Sequence, residues 1–492
     1  MPPKVLFTTI YKNSPEPYDY IGSNSRSKWF RFYWPRIQSF GLRFLKQNIP
    51  EIEILEFPTW DEYVKKLDEG WDVVGYSFYL NEVHEIEEMT KAARSSGKAE
   101  ELWAGNYGAL TPQIQEHFDK IFVGYAEEAL APYFGRNVNR NNIVHPPLIE
   151  YLDTAFHRKL NIYGIMFTTR GCGVGCKFCQ TPKFCNRPHP VPLESLEKVI
   201  SYYKENQINV VVIEDENFGA NRRHADRVVE LLDDYGMVWG CMARADYLRK
   251  KIDEWAEMRG KPNPKLGTNK RHMKGFAGAA IGIENLHQER LDDINKKEGT
   301  EDVLETIRLL QKYGLGTVGY YMIGFEEDTK ESLKVDIKTL ADLKLDITQI
   351  CILTPLPQTK LWKEIDEKYG IFEKDWHKFD MKHLVWNHPQ MQPMEMEEVL
   401  DWSLRMVYNR MTPIRTSFRV WANAQRLAGM EGLRAIKSYV TRANEFDFYP
   451  ETPRLLDMPS PVLTGNTPEM IFETALKSEG IRPMIISGVG RA

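Results

Sequence analysis

Cys172, Cys176 and Cys179 lie in the run TTRGCGVGCKFC, spaced Cys-x3-Cys-x2-Cys at the end of an apolar, β-prone stretch. Three thiols at this spacing offer three ligands where a tetrahedral metal centre wants four. Structural zinc sites and ordinary ferredoxin-type clusters take a full set of four protein ligands. A set of three therefore suggests an iron–sulfur cluster with one iron left open to a substrate or cofactor. The run goes on as CQTPKFCNRPH, so Cys185 or His189 could instead complete a zinc knuckle. A zinc-stabilised binding protein is thus the reading from another class, although zinc motifs more often pair two Cys-x2-Cys units or join one pair to histidines.

Two other groups could report a substrate. Between residues 258 and 275, Arg259, Lys261, Lys265, Lys270, Arg271 and Lys274 occur with no acid among them. Such a loop can grip a phosphate or carboxylate, or simply stand in solvent. The segment 28–34, KWFRFYW, mixes aromatics with cations and could line an apolar channel, touch a membrane interface peripherally, or pack between domains. Cys241 and Cys351 are flanked by apolar strand residues and read as inert buried thiols, and Cys185 reads as a spectator beside the cysteine loop.

The chain of 492 residues is long enough for two or three domains with a large core. Apolar content of 42%, charged content of 27% and a net charge of −5 describe an ordinary globular protein without the basicity of a nucleic-acid binder. Three of the six cysteines fall within eight residues, which is metal-ligand rather than disulfide usage and implies a reducing compartment. With no signal-like N-terminus and no apolar stretch of spanning length, the expected location is the cytoplasm.

Positioning these residues requires a particular order of elements. Strands are expected at 4–10, 52–57, 72–80, 101–109 and 120–130, with amphipathic helices over 36–48 and 82–96. Apolar strands alternating with amphipathic helices predict a parallel sheet covered on both faces, with ligands at the carboxyl ends of its strands. A polar connection, RNVNRNNIVHPP, follows. Further strands are expected at 162–170, 209–218, 237–244, 276–284, 316–324 and 347–355, each followed by helical sequence, which makes six β/α units. Beyond residue 362 come aromatic- and His-rich loops (DWHKFDMKHLVWNHPQM) and Arg-rich helices, with no cysteine after Cys351. The expected class is α/β, divided into a Rossmann-like domain over 1–140, a barrel core over 155–365 and a mainly helical C-terminal domain over 366–492.

The cysteine motif with its flanks, followed by six β/α units, resembles the radical S-adenosylmethionine (SAM) superfamily. The resemblance implies a partial (β/α)6 barrel and a [4Fe-4S] cluster on Cys172, Cys176 and Cys179, whose open iron is chelated by SAM. It implies reductive cleavage of SAM to a 5′-deoxyadenosyl radical, driven by a donor such as flavodoxin or ferredoxin. It places Phe178 near the adenine, Glu216 on the methionyl amine, Arg244 on the carboxylate, Glu284 on the ribose, and Gly324 and Pro355 near the adenine. Residues 4–135 resemble the cobalamin-binding domain of a large subclass, through the landmarks around Gly75, through Gly105 and Gly108, and through Val123-Gly124-Tyr125-Ala126-Glu127. Asn106, Tyr107 and Tyr125 depart from the small residues of that pattern, and no Asp-x-His-x-x-Gly segment supplies a cobalt ligand. Two reactions stay open. Cobalamin-dependent C-methylation of an unactivated carbon in a small-molecule or lipid-like substrate is one. A cobalamin-free dehydration, cyclisation or carbon–carbon coupling is the other.

Overall fold

The computed structural model describes residues 2–12, 32–33, 38–154, 159–206, 208–266, 273–409, 411–412, 414–423 and 425–426; the rest of the 28–34 segment, together with Lys270 and Arg271, lies outside them. Five parallel strands form the first sheet: β1 (Val5–Thr8), β3 (Glu53–Leu55), β4 (Trp71–Ser77), β5 (Ala99–Gly105) and β6 (Lys120–Ile121). Their spatial order is β3-β1-β4-β5-β6. The order reverses between β1 and β4, and in doubly wound sheets that reversal opens a crevice at the carboxyl ends of the two strands. Thr9 and Ser77 lie there. Alternate residues point to opposite faces. Leu6, Val74 and Leu102 join the main core, whereas Val5, Phe7, Val73 and Trp103 form a second core with Leu42 and Leu45 of the helix Phe40–Asn48.

The second sheet has eight strands in the order β15-β14-β13-β12-β11-β8-β7-β2. Six of them are parallel: β8 (Lys159–Met166), β11 (Val210–Ile213), β12 (Val238–Met242), β13 (Gly275–Glu284), β14 (Gly316–Ile323) and β15 (Ile347–Ile352). They are the six expected units. Two strands beyond that expectation extend the edge. β7 (Leu148–Thr154) runs antiparallel to β8, and β2 (Phe32–Tyr33) pairs antiparallel with β7. The backbone of part of the 28–34 segment thereby joins the barrel sheet.

The covering helices follow their sequence periodicity. Arg222–Asp234 buries Ala225, Val228, Val229 and Leu232, spaced as one helical face, and the Asn221 side chain accepts from the His224 amide at its start. Lys330–Asp342 begins with a capping box on Thr329 and Ser332. The barrel interior is open for a sequence reason. Gly240, Gly278 and Gly316 lie in register on three adjacent strands, so close that a Cβ on Gly278 would stand 2.5 Å from the Gly316 carbonyl oxygen. With no side chains there, the floor of the barrel stays hollow.

After the barrel, the helix Lys360–Lys368 leads into a strap closed by the Ile371–Trp386 bridge and pinned by Trp386 Nε1 donating to the Leu353 carbonyl at 3.0 Å. The helix Pro393–Val407 packs on Lys330–Asp342 and β15.

Candidate functional site

The cysteine loop leaves β8 and is bracketed by a small antiparallel pair, β9 (Thr169–Arg170) with β10 (His189–Pro190). Gly171 and Gly175 take positive φ values of 92° and 78°, which let the chain turn sharply between the thiols. The loop is held from two sides. The Cys172 amide donates to the Cys185 carbonyl at 3.1 Å, and the Lys177 amide to Ile294 at 2.9 Å. Asn295 Nδ2 and Lys297 Nζ donate to the carbonyls of Gly175 and Val174 at 2.8 and 3.3 Å.

The three thiols are partly accessible, and burial together with the neighbouring thiols pushes Cys176 up to about 11. Cys185 turns away, its sulfur 3.1 Å from the Arg187 carbonyl, and His189 faces Arg140. Zinc about 2.3 Å from each sulfur would bring every pair of thiolates within about 4.6 Å. No three ligand atoms of this loop lie within 4.8 Å of one another among the described residues. As placed, the thiols stand further apart than one shared zinc ion requires. The donor set suits a cluster in which each thiolate binds its own iron.

A cavity of about 1370 Å³ lies against this loop. It opens on Phe178 and Cys179, on Thr9, Ser77 and Gly105 of the first sheet, and on Gly240, Gly278 and Gly316 inside the barrel. That exceeds the pocket of a single drug-sized ligand. The strap contributes Phe379, Asp380 and His383 to its wall.

Each residue singled out from sequence has a definite place. Phe178 and Glu216 line the cavity. Glu216 Oε2 accepts from the Gly171 amide at 3.0 Å, and its other oxygen accepts from the Tyr125 hydroxyl, so it joins the first sheet to the cysteine loop. Arg244 pairs with Asp246 at 3.1 Å and donates to the carbonyls of Lys296 and Lys297. Glu284 sits at the end of β13 with φ 58° and is paired with Lys296 at 2.8 Å. Neither Arg244 nor Glu284 lines the cavity wall. Gly324, with φ 86°, donates its amide to Asp328 at 2.8 Å, and Pro355 precedes Leu356 of the wall.

The three glycines at or beyond the strand ends of the first sheet differ. A Cβ on Gly75 would stand 2.2 Å from the Phe7 ring and one on Gly108 2.3 Å from Phe78, so both serve packing. Only Gly105 faces the cavity, where a Cβ would meet nothing nearer than the Phe122 carbonyl oxygen at 3.8 Å.

The tyrosines that depart from the cobalamin-domain pattern tie the two sheets together. Tyr107 donates to or accepts from Thr181 at 3.2 Å, and the Arg170 guanidinium stands 3.6 Å over the Tyr125 ring. The basic segment 258–275 is at the other end of the barrel. Lys265 and Lys274 pair with Asp234 and Asp233, and Arg259 donates to the Tyr313 carbonyl at 3.0 Å. These groups stand before β12 and β13, at amino ends, whereas barrel sites form at carboxyl ends. Arg259, Lys265 and Lys274 are thus engaged by the protein's own groups, while Lys270 and Arg271 lie outside the described residues.

Sequence reasoning missed Lys296 and Glu150, whereas Glu214 and Asp215 belong to the polar run that ends the second expected barrel strand. Lys296 is buried beside Cys176, and although burial lowers its pKa, Glu284 and Glu298 hold it above the usual lysine value. Its only sequence signal is a lysine after a helix, NKK. Glu150 and Glu214 line the cavity wall; burial raises both, and Tyr163 donates to Glu150 at 2.8 Å. Burial likewise raises Asp215 to about 7, against the bonds it accepts from Thr168. Cys241 and Cys351 also line the cavity, and burial pushes both thiols up, Cys351 to about 12, so they stay protonated.

Three thiols on one loop thus stand at the mouth of a partial barrel, with a parallel sheet beside it. Residues 166–340 match the family model described as the Radical SAM superfamily, and that match implies a [4Fe-4S] cluster and SAM for this core. The chain is 22% identical over 336 residues to a bacteriochlorophyllide d C-12(1)-methyltransferase of Chlorobaculum tepidum, covering 64% of this chain and 70% of that protein. It is 27% identical over 239 residues to an anaerobic magnesium-protoporphyrin IX monomethyl ester cyclase of Rubrivivax gelatinosus, covering 47% of this chain and 39% of that one. In fold it is similar to the radical SAM methyltransferase TsrM of Kitasatospora setae, solved with cobalamin and a [4Fe-4S] cluster bound. The TM-score is 0.53 at 16% identity, covering 74% of this chain and 78% of that one. No helix among the described residues is long and apolar enough to cross a membrane.

Proposed function

We propose that this enzyme is a cobalamin-dependent radical SAM methyltransferase acting on an unactivated carbon of a small molecule with an apolar body. One observation carries the reading: a single cavity opens both on the switch point of the first sheet, beside Gly105, and on the cysteine loop. Cofactors held at these two places would share one space with the substrate. When bound, the cluster and SAM supply hydrogen abstraction, and methylcobalamin supplies the methyl group.

The chain's own residues hold and shield these groups. Cys172, Cys176 and Cys179 would hold the cluster, Phe178 would pack on the adenine, and Glu216 would receive the methionyl amine. Arg244 and Glu284, fixed by Asp246 and Lys296 outside the cavity wall, would serve the carboxylate and ribose as the family resemblance implies, and Gly324 and Pro355 would shape the adenine end. Gly105 lets a corrin approach the backbone. The glycine floor admits the apolar part of the substrate, in keeping with the bacteriochlorophyllide named for one relative. An electron donor such as flavodoxin or ferredoxin would reduce the cluster.

A second reading, cobalamin-free cyclisation, dehydration or coupling, is favoured by Tyr79 and Tyr107, which line the cavity at the strand ends where a corrin would lie. Anaerobic reconstitution with excess hydroxocobalamin, followed by desalting and a cobalt assay, separates the two. The methyltransferase reading predicts about one cobalt per chain. Production of 5′-deoxyadenosine with no retained cobalt would replace it with the second.

A further inference from the structure

The His-rich strap contains a group that the radical chemistry does not use. His84, on the helix Val83–Ser96 of the first domain, faces Asp375 and His377 at the turn Trp376–Lys378, across 291 residues of sequence. One ligand atom from each of the three lies within 4.8 Å of the others. His84 Nε2 is 3.2 Å from Asp375 Oδ1, and His377 Nδ1 is 3.5 Å from the same oxygen. Ligands about 2.0–2.1 Å from a tetrahedral metal stand roughly 3.3–3.4 Å apart, so one ion fits between these donors with little movement from the hydrogen-bonded positions they hold without it.

The orientation of His377 is the more specific sign. Its Nδ1 turns to Asp375 while its Nε2 faces both oxygens of Glu85 at 3.3 Å. A metal-bound histidine almost always gives its other ring N–H to a carboxylate or carbonyl, which fixes the tautomer and raises the basicity of the ligating nitrogen. Asp375 is fixed too, since its Oδ1 accepts from the His377 amide at 3.0 Å.

We infer that His84, Asp375 and His377 form a binding site for a divalent transition ion of the zinc class, with Glu85 as the carboxylate that orients His377. Two imidazoles and one carboxylate suit such an ion and leave its fourth position to water or a donor from the cavity, whose wall includes His377. The three side chains are 41%, 44% and 48% exposed, so the ion enters from solvent. Bound there, it staples the first domain to the strap that walls the cavity.

The test uses the full-length chain, reconstituted anaerobically so that the cluster thiols are occupied, stripped with chelating resin and titrated with Zn2+. The site predicts one zinc retained per chain and a zinc-dependent rise in the unfolding midpoint. It predicts loss of both in His84→Gln/His377→Gln, and zinc affinity weakened about 10–100-fold in Glu85→Gln. These exposed positions tolerate glutamine, and cluster iron content checks that each variant is folded. Absence of retained zinc in the wild type, or equal retention in the double variant, would overturn the assignment.

Discussion

Arg170 and Glu127 form an ion pair at 2.9 Å with side chains 10% and 4% exposed, one at the threshold of the cysteine loop and the other on the helix Glu127–Leu130 of the first domain. The guanidinium is also stacked over Tyr125, whose hydroxyl reaches Glu216. The loop is thus positioned by the neighbouring domain as well as by its own barrel. Removing one partner leaves a desolvated charge, so Glu127→Ala should cost about 3–5 kcal/mol, whereas Glu127→Gln/Arg170→Met should cost less than Glu127→Ala. Urea unfolding of the two variants checks this. Equal loss would mean that the pair contributes packing rather than charge compensation.

The glycines of the first sheet divide by what their Cβ would meet. Gly108→Leu should fail to fold or lose several kcal/mol, because a side chain there overlaps the Phe78 ring and backbone. Gly105→Leu should fold, since a Cβ there meets nothing nearer than the Phe122 carbonyl oxygen at 3.8 Å, and by filling the cavity should lower corrinoid retention with reductive SAM cleavage intact. Thermal unfolding and cobalt content on both variants are the measurements.

Glu150 and Glu214 give the cavity a pH signature. Burial raises both carboxyls, so the folded chain keeps protons that the unfolded chain releases near the ordinary carboxylate value. The stability this confers is present in full below that value and is lost as pH rises from it toward the raised folded-state values. Glu214→Gln should flatten the fall in unfolding free energy between pH 5 and 7 by up to about 1.4 kcal/mol per pH unit. Parallel pH profiles for wild type and variant would show that Glu214 is ionised in the folded protein.

The six parallel strands and the cysteine loop were legible because each is a local signal, an apolar run with its turn or a fixed thiol spacing. What escaped is non-local. β2 and β7 join the barrel edge through pairing between residues 32–33 and 153–154, which no periodicity encodes. Lys296 reaches Glu284, and His84 reaches Asp375, only through the folded topology. The glycines at 75, 105 and 108 look alike in sequence. Only the rings of Phe7 and Phe78, supplied by other strand segments, separate packing from a cavity wall. The run of cations at 258–275 read as a candidate anion grip because the sequence does not show Asp233 and Asp234 alongside it.

Glu284 tests the placement of SAM. Glu284→Ala removes a charge-assisted bond worth roughly 1.5–3 kcal/mol and should weaken SAM binding by about one to two orders of magnitude with the cluster retained. The same change strips Lys296 of its nearest carboxylate, so a fall in unfolding free energy should accompany it. Titration of the reconstituted variant with SAM reads the first effect; unchanged affinity would leave Glu284 as the partner of Lys296 alone.

The most direct test of the account is iron and acid-labile sulfide per chain, measured with 5′-deoxyadenosine formation from SAM after anaerobic reconstitution. The wild type, Cys241→Ala and Cys351→Ala should each hold about four irons per chain and cleave SAM, as a [4Fe-4S] centre requires. Cys172→Ala/Cys176→Ala/Cys179→Ala should hold none and cleave no SAM. Four irons with SAM cleavage in the triple variant would contradict the assignment of the three thiols and the reading built on them.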